Sequence, residues 1–188
     1  QQALPQSGDL LDAGETDGHH VWLLASKTAS GSQLRVRSVP DAAIAVSAPI
    51  HNPADLPDAL RQATYVSMLL ENRLIPGSVA VFEDPSALGI YEFLYPEWES
   101  ERQVAYRDEH LGILLENDPR GLLFDTLGVY LDHGGSQRLT AESLGIHRNT
   151  LAYRLRQITA LVAVDLGDPH ARLTLHLAAA IHRVETLY

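Results

Sequence analysis

The chain has 188 residues, 45% of them apolar and 20% charged, so it can bury a core and is not a disordered tail. It has no cysteine, which excludes disulfides, thiolate catalysis and thiolate zinc sites. The formal charge of −10 is wrong for a nucleic-acid binder until it is divided along the chain: residues 1–120 hold 8 basic and 18 acidic side chains, residues 121–188 hold 6 of each.

Residues 1–17 mix Gln, Pro, Ser, Gly and Asp without periodicity and read as a flexible N-terminal segment. The sequence starts at Gln1 and reads as part of something longer; no run approaches the roughly 20 apolar residues of a membrane span, and no signal peptide is expected. Val21 to Ala25, Ala42 to Ala48 and Ser78 to Phe82 are apolar runs of strand length. Asp55 to Asn72 predicts a helix with Leu56, Leu60, Ala63, Val66, Met68, Leu69 and Leu70 on a broad apolar face, and Pro85 to Leu94 predicts another. The order strand, strand, helix, strand, helix suggests a small α/β layer with one sheet.

Beyond Pro96 the pattern is helical throughout. Trp98 to Glu116 is amphipathic with Val104, Leu111, Leu114 and Leu115 inward; Arg120 to Asp132 follows with Leu123, Leu127, Tyr130 and Leu131 on one side. Gly134-Gly135 supplies a left-handed C-cap, and Ser136 caps a short helix to Leu144. Gly145 separates it from a long helix over Arg148 to Val162. Asp168-Pro169 opens a last helix with Leu173, Leu177, Ile181 and Val184 at helical spacing.

The functional signal is Leu139 to Leu155: a short helix, a glycine turn and a longer helix. Ala141 is small where the helices cross, and Gly145 permits positive φ in the turn. Ile146, Leu151, Leu155 and Ile158 point to the core. His147, Arg148, Asn149, Thr150, Tyr153, Arg154 and Arg156 are then left for the outer surface and the helix N-terminus, and His147 to Gln157 contains no acid. Such a surface suits duplex DNA. The helix end offers N–H groups and partial positive charge to a phosphate, while Arg148, Asn149 and Tyr153 can read bases in the major groove. Thr150 can touch phosphate or a thymine methyl; Arg154 and Arg156 are expected to track the backbone.

Gly145-Ile-His-Arg-Asn-Thr-Leu-Ala-Tyr-Arg-Leu155 resembles the C-terminal helix-turn-helix of PucR/CdaR-type bacterial transcription regulators, itself similar to the Fis recognition unit. The resemblance extends over Leu122 to Ser136 and Asp165 to Leu173, with Ala163 standing where the family usually has glycine. It implies that the preceding region is a degenerate GGDEF-like domain, to whose later strands and helix Ala43 to Pro49, Asp55 to Leu60 and Val79 to Asp84 are similar. Gly18 to Leu24 then matches the hairpin whose acids hold Mg²⁺ in active cyclases. His19 and His20 stand in place of those acids, and hard Mg²⁺ prefers oxygen, so no catalysis and no cofactor are expected.

The fold class expected is therefore α+β, a small α/β (degenerate GGDEF-like) domain followed by an all-α helix-turn-helix bundle. Its parts are a flexible segment over 1–17, the α/β domain over 18–97, a connecting helix over 98–119 and the DNA-binding domain over 120–188. The expected partners are double-stranded DNA and a second copy of the chain, since one recognition helix reads only a few base pairs. The resemblance adds a cytoplasmic location, no membrane contact and an effector sensed by a further domain upstream. An enzyme or metal reading would have to start from Glu15, Asp17, His19 and His20, but neighbouring histidines on a strand point to opposite faces and cannot easily share one ion. A signalling or assembly module of the GGDEF-like superfamily, with residual nucleotide or metal binding, is the alternative function.

Overall fold

A computed structural model of the chain describes residues 9–16, 19–25, 43–82, 84–95 and 100–187. The expectations resting on residues 1–8, Asp17, Gly18, 26–42 and Trp98 lie outside the described residues. The chain divides into two compact units, residues 1–95 and 96–188.

In the first unit, β1 (Asp9–Thr16) pairs antiparallel with β2 (His19–Ala25), with a register shift between Asp12 and Gly14. Part of the segment expected to be flexible is therefore a strand. Asp9, Asp12, Gly14 and Glu15 are poor strand formers, and it is the ladder to β2, running from Asp9↔Ala25 to Thr16↔His19, that fixes them. β3 (Ile44–Val46) pairs parallel with β4 (Val79–Val81), with α1 (Leu56–Glu71) between them in sequence. Among the described residues these are two separate two-stranded ladders, not the single sheet expected.

Asn52 caps a 3-10 turn over Pro53–Asp55 by accepting from the Ala54 N–H at 3.0 Å, and α1 continues from it with Pro57 in its first turn. Tyr65, Val66, Ser67, Met68, Leu69 and Leu70 are all buried, so the second half of α1 is enclosed on every side. It packs on β3 and β4, and the Tyr65 hydroxyl donates to the Tyr91 carbonyl at 2.9 Å. The helix expected over Pro85 to Leu94 is broken in two by Gly89 at φ +54, giving α2 (Pro85–Leu88) and α3 (Ile90–Leu94).

The second unit is entirely helical among its described residues. It contains α4 (Glu101–Glu116), α5 (Leu122–Asp132), α6 (Gln137–Leu144), α7 (Arg148–Val162) and α8 (Pro169–Glu185). Ser100 caps α4, Ser136 caps α6 and Asp168 caps α8 ahead of Pro169. Gly121, at φ +68, precedes α5, whose first amides are taken by the Asp118 carboxylate, from Leu123 at 2.7 Å and Phe124 at 2.8 Å. One apolar core runs through all these helices except α6, whose apolar Ala141 and Leu144 are only part-buried against it: Leu111 and Leu114 from α4, Leu123, Leu127, Tyr130 and Leu131 from α5, Leu151, Leu155 and Ile158 from α7, and Leu175, Ala178 and Ala179 from α8. The helix expected as a connector is thus part of this unit, held against α8 by small alanines and by the Arg107–Glu185 ion pair. On α8 the buried face is Leu175, Ala178, Ala179, Ala180, Ile181 and Val184, whereas Leu173 is 66% exposed and Leu177 half-buried. Leucine spacing alone put Leu173 inside. No helix among the described residues is long and apolar enough to cross a membrane.

Candidate nucleic-acid interface

α6 and α7 are joined by three residues, and each has a physical task. Gly145 takes φ +63 and closes α6 through its N–H to the Glu142 carbonyl at 3.2 Å. The Ile146 N–H reaches back to the Ala141 carbonyl at 3.0 Å, while its side chain packs against the core. His147 is extended and acts as the N-cap of α7, its Nδ1 accepting from the Asn149 N–H at 3.2 Å. The sequence reading placed His147 at the helix end without this capping role. Buried Thr140 donates to the Ser136 carbonyl at 2.8 Å and holds the other end of α6 closed.

α7 turns by about 100° per residue, so Leu151, Leu155 and Ile158 fall within roughly 60° of one another while Asn149, Tyr153 and Arg156 lie on the opposite side. The structure follows this geometry. The three apolar residues are buried, and His147, Arg148, Asn149, Thr150 and Arg156 are exposed, as is Tyr153 at 55%. No acid interrupts this face. Among the described residues Arg148 and Arg156 have no acidic partner, whereas Arg138 on α6 is paired with both Glu142 oxygens at 2.8 Å and is charge-compensated.

Arg154 differs from the other six residues singled out. It is half-buried, and its Nη1 donates to the Thr126 hydroxyl of α5 at 3.1 Å. Its place roughly 60° from Leu151 borders the core, but exposed Arg148 in the first turn has the same offset, so it is the Thr126 contact that separates the two.

The first unit holds the other candidate. His19 meets Glu71 at 3.2 Å, and the His20 ring lies 4.9 Å from that of Trp22 two residues on, so the two histidines turn to opposite faces. Among the described residues no group of three or more His, Asp or Glu side chains is placed to hold a metal ion.

The family described as the PucR C-terminal helix-turn-helix domain matches residues 123–181. The chain is 36% identical over 92 residues to the proline-responsive transcriptional activator PutR of Bacillus subtilis, covering 48% of this chain and 22% of that protein. It is 29% identical over 126 residues to the carbohydrate diacid regulator of Escherichia coli, covering 67% of this chain and 32% of that protein. An uncharacterized protein in the pkwA 5' region of Thermomonospora curvata is 31% identical over 145 residues, 68% of this chain and 79% of its own length. The chain thus spans a third or less of each of the two named regulators. No solved structure matches. Residues 123–181, which include the α6–Gly145–α7 geometry, match the PucR C-terminal helix-turn-helix domain, and over part of its length the chain is similar to transcription regulators that share that module.

Proposed function

We propose that the chain is the DNA-binding part of a cytoplasmic bacterial transcription regulator that reads duplex DNA by laying α7 in the major groove. The observation that carries this reading is the outer face of α7, which is exposed, free of acid and supplied with two uncompensated arginines directly after a glycine turn. In this reading His147 and the amides of the first turn anchor a phosphate, Arg148, Asn149 and Tyr153 read base edges, and Thr150 touches phosphate or a thymine methyl. Arg156, further along the exposed face, follows the backbone.

The first unit serves as a non-catalytic, degenerate GGDEF-like domain. Two features support that: the β3-α1-β4 order with parallel pairing, and a β1–β2 hairpin bearing His19 and His20 where a cyclase would need acids. Incubation with GTP or ATP and Mg²⁺ is expected to give no cyclic product. Two copies acting together would place two α7 helices about one DNA turn apart, and an effector would act through a domain upstream.

Selection of bound sequences from a random duplex pool tests the reading and is expected to return a palindrome. On the selected duplex Arg148→Ala is expected to cost about 1–3 kcal/mol. Arg156→Ala should weaken selected and random duplexes alike and lower the slope of log affinity against log salt by about 0.9. Unchanged affinity at low salt in both variants would remove α7 from the interface.

A further inference from the structure

We infer that Arg154, although basic and carried on the recognition helix, is a positioning residue that sets the rotation of α7 through Thr126 and does not contact DNA. The inference rests on the DNA-binding reading of α7 and corrects the role expected for this arginine from its charge alone.

Thr126 is fully buried in α5, and its hydroxyl proton is already committed to the Leu122 carbonyl at 2.7 Å. What the hydroxyl oxygen still offers is acceptance, and the Arg154 guanidinium fills it at 3.1 Å. The bond joins a cation to a buried neutral oxygen, with no carboxylate beside it among the described residues to neutralise Arg154. The other arginines tied into this unit are anchored differently: Arg183 lies 3.7 Å from Asp132, and Arg172 donates to the Leu166 and Gly167 carbonyls at 2.9 and 2.8 Å.

The position of the contact gives it leverage. Arg154 lies beside the apolar stripe of α7 and Thr126 beside Leu127, so the hydrogen bond acts at the edge of the α5–α7 packing. Leucine contacts resist separation of two helices better than they resist a small roll of one helix on the other. A directional bond at the edge resists the roll. Because Asn149, Tyr153 and Arg156 lie on the far side of the same rod, a roll at Arg154 swings all three out of register with the bases. Swinging the whole guanidinium out to a phosphate would break this bond and leave the Thr126 acceptor unmet in the core, and keeping it limits where the rest of the fork can point.

The test is a double-mutant cycle on the full chain, using the selected duplex and random duplex at several salt concentrations. Arg154→Ala and Thr126→Val are each expected to lower the melting temperature, and the double variant to be no worse than the more damaged single. Thr126→Val is expected to reduce the ratio of selected to random affinity several-fold, although Thr126 is buried and out of reach of DNA. Thr126→Ser, which restores the acceptor, should return the ratio to that of the unaltered chain. Arg154→Lys, which keeps the charge but not the fork, should behave like Arg154→Ala, with the salt slope unchanged in both. A lowered salt slope in Arg154→Ala that Lys restores, together with an unaffected ratio in Thr126→Val, would overturn the inference and put Arg154 at the phosphates. Failure of the unaltered chain to bind any duplex would instead overturn the reading of α7 itself, and this inference with it, even if melting shows the two residues coupled.

Discussion

In residues 100–187 helix ends are set by residues adjacent to them in sequence: Ser100, Asp118, Ser136, Gly145, His147 and Asp168 each satisfy or release backbone groups within a few positions. Residues 43–95 are organised differently. Their parallel ladder joins Ile44 to Val79 across the whole of α1, and the buried half of α1 depends on strands that lie before and after it. The proposed recognition surface belongs to the locally specified unit. A helix proposed to present Arg148, Asn149 and Tyr153 in fixed register gains from having its N-terminus defined by its own turn, while a parallel strand pair depends on contacts formed at a distance.

Truncating each core separates the two units most strongly. Leu175→Ala, at a site 2% exposed, is expected to cost about 3 kcal/mol and to lower duplex affinity, because the core of the second unit also seats α7. Leu69→Ala, fully buried in the first unit, is expected to cost about as much in stability while leaving the duplex affinity of α7 unchanged. Leu173→Ala should move stability by less than about 0.5 kcal/mol. A large effect at Leu173 with a small one at Leu175 would restore the face that leucine spacing suggested.

Each unit also ends a long helix with a non-glycine residue in the left-handed region, Arg73 at φ +58 after α1 and Ala163 at φ +55 after α7. A Cβ is disfavoured there, and Ala163 is exposed with nothing to gain from its methyl. Ala163→Gly is expected to stabilise the second unit by about 0.5–1 kcal/mol, read as a rise in melting temperature. A fall would mean that the end of α7 is held in some other conformation.

What was legible in the sequence follows the same division. Gly145, Ser136 and Asp168-Pro169 marked their helix ends correctly because capping chemistry is local. Leu151, Leu155 and Ile158 were readable as the buried stripe because their spacing admits one arc. On α8 the alanines made the apolar arc wide enough to admit two faces, and only packing against α4 chose Leu175 over Leu173. β1 was missed because its acids obscure the strand pattern, although the Asp17-Gly18 pair between Thr16 and His19 has hairpin-loop composition. Arg154 shares its offset from Leu151 with exposed Arg148, so its contact with Thr126 was not legible in the spacing. Asp118 was passed over because it caps from outside the helix it serves.

The smallest expected effect concerns pH and lies where α4, α5 and α8 meet. His182 is half-buried with its ring edge-on to Phe124 at 4.7 Å and its Nδ1 without a hydrogen-bond partner among the described residues. Burial lowers its pKa from the ordinary value of about 6.5, and Arg107 from α4 and Arg183 from α8 push it the same way against the weaker pull of Asp108. The unfolded chain therefore accepts this proton before the folded one does. The stability that His182 lends by staying neutral is complete above about pH 6.5 and declines as pH falls below it. Glu185 works in the opposite sense. Burial raises its pKa from about 4.5, with Arg107 opposing and Asp108 assisting, so its contribution is complete below that pH and is lost as pH rises. The two windows approach each other from opposite ends, and the net slope is shallow. His182→Gln, neutral throughout, isolates the first: unfolding measured between about pH 5 and about pH 8 should show the decline in the unaltered chain and not in the variant. Equal slopes in the two proteins would mean that His182 takes up its proton as easily inside the fold as outside it, and that the α4–α8 contact tolerates a third cation beside Arg107 and Arg183.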